Sequence, residues 1–209
     1  MSTDSVRAAF DRVAEQYAAD FADELSRKPW DVERLHRFAA ACPAGPILEI
    51  GCGPAGHIGR YVADLGRRVI GVDLSERSLH VARRLNPSLS FVTADMRTLP
   101  IESGTCAGVL AFYSMIYEDA EGVRAALAEF RRVLGRGGAV LIAVHAGDGV
   151  RHFSDYKGIP VDITLHLRDP DALAALVRSA GFTLQACEVR QPYPFEHATD
   201  RLYVAALAD

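Results

Sequence analysis

ILEIGCGPAGHIGRYVADLG, residues 47–66, decides the reading. A short apolar run ends at Glu49-Ile50, Gly51, Gly53 and Gly56 follow, and a helical stretch spans His57–Leu65. Glycine permits a tight turn and close approach of the backbone to a ligand. The helix N-terminus behind it supplies N–H donors for a carboxylate, hydroxyls or a phosphate. Asp73 stands 20 residues past Gly53, at the end of the next apolar run, where a carboxylate can accept both hydroxyls of a ribose. Asp95 stands just past the run after that. Strand, glycine turn, helix and distant acid together point to a nucleoside-containing cofactor.

Outward from this stretch the same rhythm continues. Ile47–Ile50, Val69–Val72, Leu89–Thr93, Gly108–Phe112 and Ala139–His145 are apolar runs without polar alternation, as buried strands require. Between them lie helical stretches at His57–Leu65, Glu76–Leu85 and Gly122–Leu134. Gly66 and Gly135 sit where left-handed cap residues are wanted, and Asn86-Pro87 stops the middle helix. Strands alternating with helices predict a doubly wound, mostly parallel, Rossmann-like α/β sheet. Further on, Asp169-Pro170 opens a helix running to Ala180. Phe182–Val189 and Arg201–Leu207 then form an antiparallel strand pair at one edge, bringing the sheet to about seven strands. Before the core, Val6, Phe10, Val13, Tyr17, Phe21 and Leu25 share one face of a helix capped by Ser5, and a second helix starts at Asp31. The expected organisation is one domain over 1–209. It has an N-terminal helical cover at 1–44, a cofactor-binding core at 45–145, a lid at 146–168, and a closing helix and strand pair at 169–209. In the lid, Val161, Ile163, Leu165 and Leu167 alternate with polar residues like a half-exposed strand.

Composition narrows the class. The 209 residues are 49% apolar and 24% charged, and 23 basic against 27 acidic residues leave a net charge of −4. That suits a globular domain and disfavours binding to nucleic acid or to a membrane surface by bulk charge. No apolar run approaches the ~20 residues of a membrane helix, and MSTDSVRAAFDR is no signal peptide. Cys42, Cys52, Cys106 and Cys187 form no CxxC clip, and no set of side chains has metal-ligand spacing. Reduced thiols then imply a cytoplasmic protein.

LEIGCGPAG, VIGVDLS, VTADMRTLPIESGTCAGVLAFYSM and EFRRVLGRGGAVLIAVH resemble, in order and spacing, the motifs of class I S-adenosylmethionine-dependent methyltransferases of the small-molecule type. The resemblance covers roughly residues 45–145. It implies S-adenosyl-L-methionine as cofactor and S-adenosyl-L-homocysteine as product. It implies that Glu49, Gly51, Cys52 and Gly53 form the turn at the methionine end of the cofactor, with Asp73 on the ribose and Leu74 beside the adenine. Asp95 matches the acid at the adenine amino group, though it can also cap the turn at Met96–Thr98. Met96 follows where a backbone N–H meets the ring, and Phe112 lies where a carbonyl meets the methionine amine. Tyr17 resembles a tyrosine that some members bring onto the cofactor carboxylate, and it also lies on the apolar face of its helix. Ser78 replaces a large apolar side chain beneath the adenine, and Ala55 delays the third glycine by one position. The tetrad of nucleobase amino-methyltransferases is absent, residues 112–115 reading Phe-Tyr-Ser-Met.

Methyl transfer from a sulfonium requires positioning in a dry pocket, and a base only where the acceptor atom is protonated. Tyr113, His145, Tyr156 and His166 are the candidates for the substrate pocket, with Phe153 and Ile159 as further lid residues. Tyr113, His145 and His166 are also the candidate bases, although no catalytic residue is assigned. A small organic acceptor, with no nucleic-acid or membrane partner, is the expectation, in a monomer or homodimer. Two rival readings are a nicotinamide-dependent oxidoreductase, whose fingerprint Gly51, Gly53, Gly56 and Asp73 also satisfy, and a non-catalytic S-adenosylmethionine-binding protein.

Overall fold

The structure, a computed structural model, describes residues 3–209. The elements in chain order are α1 (Thr3–Phe21), α2 (Pro29–Ala41), β1 (Ile47–Ile50), α3 (His57–Asp64), β2 (Val69–Asp73), α4 (Glu76–Leu85), β3 (Ser90–Thr93), β4 (Cys106–Phe112), α5 (Ala120–Val133), β5 (Leu134–His145), β6 (Val150–Tyr156), β7 (Ile159–His166), α6 (Pro170–Ser179), β8 (Phe182–Arg190) and β9 (Arg201–Ala208). Seven strands form one sheet in the order β3-β2-β1-β4-β5-β9-β8. The first five run parallel, and β9 lies antiparallel between β5 and β8, as the sequence predicts.

Alternate side chains of each central strand serve opposite layers. Leu48, Val109, Val140, Ile142 and Val204 pack against α5 and α6 through Leu127, Phe130 and Val177. Ile47, Leu110, Leu141 and Tyr203 pack against α2 and α3 through Leu35, Phe38, Ile58 and Val62. Every residue of β1 and β4 is buried, which explains their unbroken apolar runs. Edge strand β8 alternates instead. Because β1 to β5 are parallel and adjacent, their carboxyl ends converge on one edge, with the loops after β1 and β4 on either side of the reversal in strand order.

Several local expectations differ from what forms. The first helix ends at Phe21, and Leu25 sits in a separate 3₁₀ turn, Glu24–Arg27. Ser5 lies inside α1, which already starts at Thr3. The second helix starts two residues early, with Pro29 at its first position. Gly66 is left-handed (φ 84°), but Gly135 is part of β5, and the left-handed residue there is Gly137 (φ 71°). The lid is a hairpin, not one strand. β6 and β7 pair antiparallel as a second sheet, and five of the seven residues of β6 are exposed, so the strand carries no apolar rhythm. Val161 and Ile163 of β7 pack on Ala9 and Val13 of α1, so helix and hairpin form one cover. Helix α2 is no part of that cover, since Leu35 and Phe38 seat it on the sheet.

Candidate functional site

A cavity of about 560 Å³ opens at the carboxyl edge of the parallel strands, roofed by α1 and the β6–β7 hairpin. Its floor is the glycine turn. Gly51 and Gly53 adopt left-handed φ of 67° and 61°. The N–H groups of Gly51 and Cys52 both donate to the Val72 carbonyl, at 2.7 and 3.0 Å. The Gly53 N–H donates to Asp73 Oδ2 at 2.8 Å. These three donors therefore fold the turn onto β2 rather than waiting for a ligand. Open space lies where a side chain at Gly53 would project, whereas a Cβ on Gly51 would stand 2.3 Å from Ser114 Cβ.

Asp73 is held by two N–H groups, from Gly53 to one oxygen and from Ser75 to the other at 2.9 Å. A carboxylate has about four lone-pair positions, so it can still accept a pair of hydroxyls. Burial raises its pKa. Glu49 is buried beneath the turn, and burial pushes its carboxyl up to about 8. Its Oε2 has no hydrogen-bond partner. It lies where a Cβ on Gly59 would come within 2.3 Å, so a glycine in α3 is what admits the Glu49 side chain. The Cys52 thiol is buried and its pKa raised, which leaves it a small lining residue rather than a nucleophile.

Leu74, Met96 and Phe112 also line the cavity. Asp95 does so with its carboxylate already engaged. The Arg97 N–H donates at 2.8 Å and its guanidinium closes on both oxygens, the shortest contact being 2.6 Å. Burial opposes its ionisation, but these hydrogen bonds keep its pKa below the ordinary value. Tyr17 projects from α1 into an aromatic cluster with Phe21 and Tyr156, at 4.3 and 5.8 Å between ring centroids. The Tyr156 hydroxyl donates to Asp20 at 2.7 Å, and Lys157 Nζ reaches the same carboxylate at 2.5 Å, latching hairpin to helix.

Of the predicted site and lid residues, Ser78, Ile159 and His166 are not brought to the cavity. Ser78 is sealed inside α4. His166 lies on the face of β7 opposite Val161, Ile163 and Leu165, which supply the roof. Tyr113, His145 and Tyr156 do line it. Tyr113 takes φ of 55°, a strained conformation for a residue with a side chain, at the end of β4.

A family profile described as a methyltransferase domain matches residues 47–138. The malonyl-[acyl-carrier protein] O-methyltransferase of Serratia marcescens is 32% identical over 152 residues, covering 72% of this chain and 56% of that protein. The chain belongs to the class I S-adenosylmethionine-dependent methyltransferases. The enzyme of the same name from Enterobacter lignolyticus is 33% identical over 150 residues, and this methyltransferase-family chain spans about half the length of both, 56% and 55%. A Burkholderia thailandensis 1,6-didemethyltoxoflavin-N1-methyltransferase, solved with that compound and S-adenosylhomocysteine, shares the fold. Its TM-score is 0.75 at 22% identity, over 99% of this chain and 88% of the other.

The family motifs leave one cavity wall unforeseen. Phe195, Glu196 and His197 from the β8–β9 connection and Arg201 at the start of β9 join Glu24 and Arg27 of the 3₁₀ turn and Lys28 just after it. Lys28 Nζ meets Glu24 at 2.6 Å and Glu196 at 3.2 Å. Glu196 also holds Arg190 at 2.7 Å, and Glu24 meets His57 at 2.8 Å. Despite burial, Arg190 and its neighbours keep the Glu196 carboxyl down at about 2. The only sequence signal is an aromatic residue, an acid and a histidine in succession within a Pro-rich loop, which carries no periodicity to read.

Proposed function

We propose that the protein moves the methyl group of S-adenosyl-L-methionine to a small organic acceptor inside the roofed cavity. The observation that carries this is the Gly51–Gly53 turn folded onto Asp73, with open space before Gly53 and an unpartnered Glu49 oxygen beneath. These residues fit the group. Asp73 would hold the ribose hydroxyls, Gly53 would give backbone approach to the methionine end, and Leu74 and Met96 would flank the base. The bound cofactor supplies an activated methyl on a sulfonium.

The protein's own residues then position the acceptor and exclude water. Tyr17, Phe10 and Tyr117 form an aromatic roof, with Phe10 and Tyr117 rings 5.2 Å apart. Orientation of this kind is worth ~7–11 kcal/mol of barrier. The malonyl group in the names of the curated relatives, carried there on an acyl-carrier protein, and a cavity closed over by α1 and the hairpin support a small acceptor group in preference to a nucleic acid. All four cysteines are free, which supports a reducing, cytoplasmic setting. No helix among the described residues is long and apolar enough to cross a membrane. The test is release of S-adenosylhomocysteine from S-adenosylmethionine, followed by mass spectrometry across a panel of small acids, phenols, amines and thiols. Methylated product from a panel member, lost in Asp73→Ala, supports the reading. Saturable cofactor binding without turnover on the panel would leave a binding protein in its place.

A further inference from the structure

We propose that His145 is a positioning residue whose Nε2–H donates a hydrogen bond to an anionic oxygen of the methyl acceptor, most simply a carboxylate. The proposal rests on the methyltransferase reading and names the acceptor class for that site.

His145 closes β5 at the cavity edge and is 7% exposed. Its Nδ1 lies 2.8 Å from Thr199 Oγ1. The same oxygen receives a hydrogen bond from Arg201 Nη1 at 2.8 Å, and Arg201 also donates to the Thr199 carbonyl. A guanidinium only donates, so the Thr199 hydroxyl keeps its own proton to give. His145 Nδ1 is the acceptor within its reach. With the Thr199 hydroxyl as the donor, the ring proton sits on Nε2. Nε2 has no protein partner among the described residues and is not one of the sealed polar atoms, so it opens onto the cavity that His145 lines.

The ring also stays neutral. Burial first, then Arg201 of β9 and His197 of the β8–β9 connection, push its pKa down to about 3. Arg151 of β6 acts in the same direction, and Glu196 alone opposes them. The remaining neighbour is the Tyr113 ring, 5.4 Å away between centroids. With one nitrogen held by Thr199 and the other already protonated, His145 serves as a donor and not as a base.

Charge around the ring agrees. This end of the cavity carries Arg27, Lys28 and Arg201 against Glu24 and Glu196. Arg27 makes no ion pair among the described residues and rests on the Phe195 ring, 4.5 Å from its centroid. The glycine-turn end is acidic instead, with Glu49, Asp73 and Asp95. An acceptor that is already an anion fits the cationic end, and it needs no proton removed by a histidine that cannot take one.

The test is a histidine-ring ¹⁵N–¹H correlation spectrum of the full chain saturated with S-adenosylhomocysteine, assigned with His145→Phe. The expected signal is a proton on Nε2 that does not titrate between roughly pH 5.5 and 8. Benzoate should shift it saturably and benzylamine should not. Thr199→Val should release Nδ1 and let the proton distribute over both ring nitrogens, while burial and Arg201 keep the ring neutral. A proton on Nδ1, titration of the wild-type ring in that range, no response to benzoate, or an equal response to benzylamine would each overturn the proposal. Failure to bind S-adenosylhomocysteine would strike the methyltransferase reading instead. The ring proton and the benzoate response, read then on the free protein, would still decide the role of His145.

Discussion

The two ends of the cavity are assembled in opposite ways. The glycine-turn end comes from Glu49 to Met96, short loops that follow three adjacent parallel strands, and its bonds run mostly between backbone and carboxylate. The cationic end gathers Lys28, Tyr113, His145, Glu196 and Arg201 from across the chain, and its bonds run mostly between charged side chains. One end is set by the sheet, so its geometry follows from strand order. The other is set by an ion network that exists only once α2, β5 and the β8–β9 connection have packed together.

The sharpest way to break this comparison is Asp73→Ala. It removes the carboxylate and leaves the Gly53 and Ser75 N–H groups without it. Affinity for S-adenosylhomocysteine should fall by ~1.5–3 kcal/mol, about 10- to 150-fold, by calorimetry. An unchanged affinity would remove the ribose assignment. Gly59→Ala comes next. Its Cβ would meet Glu49 Oε2 at 2.3 Å, so urea unfolding should show a loss of ~1–3 kcal/mol.

Glu49→Gln probes the same end through pH. The folded carboxyl holds its proton up to about 8, while an unfolded one releases it near its ordinary value of ~4.3. Between those values the folded chain binds more protons, so stability falls as pH rises. The melting temperature of the wild type should decline across that window, and the variant should flatten the decline. The smallest effect belongs to the cover. Lys157 is exposed, and Lys157→Ala should change stability by no more than about 0.5–1 kcal/mol in the same urea assay.

The same contrast sets what is legible in the sequence. Ile47–Ile50 and Gly108–Phe112 read as buried strands because both faces of β1 and β4 are covered. Asp73 was legible because a fixed strand–turn–helix spacing ties it to Gly53. β6 was not, since five of its seven residues face solvent and only Phe153 and Tyr156 turn toward the cover, too few to set a rhythm. Nor was the pairing of Lys28 with Glu196, because 168 residues separate them and no local pattern encodes the contact. His166 shows the limit of alternation as a guide. The period of β7 was right, but it is the apolar set that faces the cavity, under α1. Ser78 stands at the expected turn of α4 but is enclosed by its own layer.

The most direct test of the central claim is calorimetric titration of the purified protein with S-adenosylhomocysteine, with NAD and NADP titrated alongside. Saturable, micromolar-order binding of S-adenosylhomocysteine and silence toward both dinucleotides are expected. Binding of a dinucleotide without S-adenosylhomocysteine would contradict the claim, and the Gly51–Gly56 turn with Asp73 would then be serving a different cofactor.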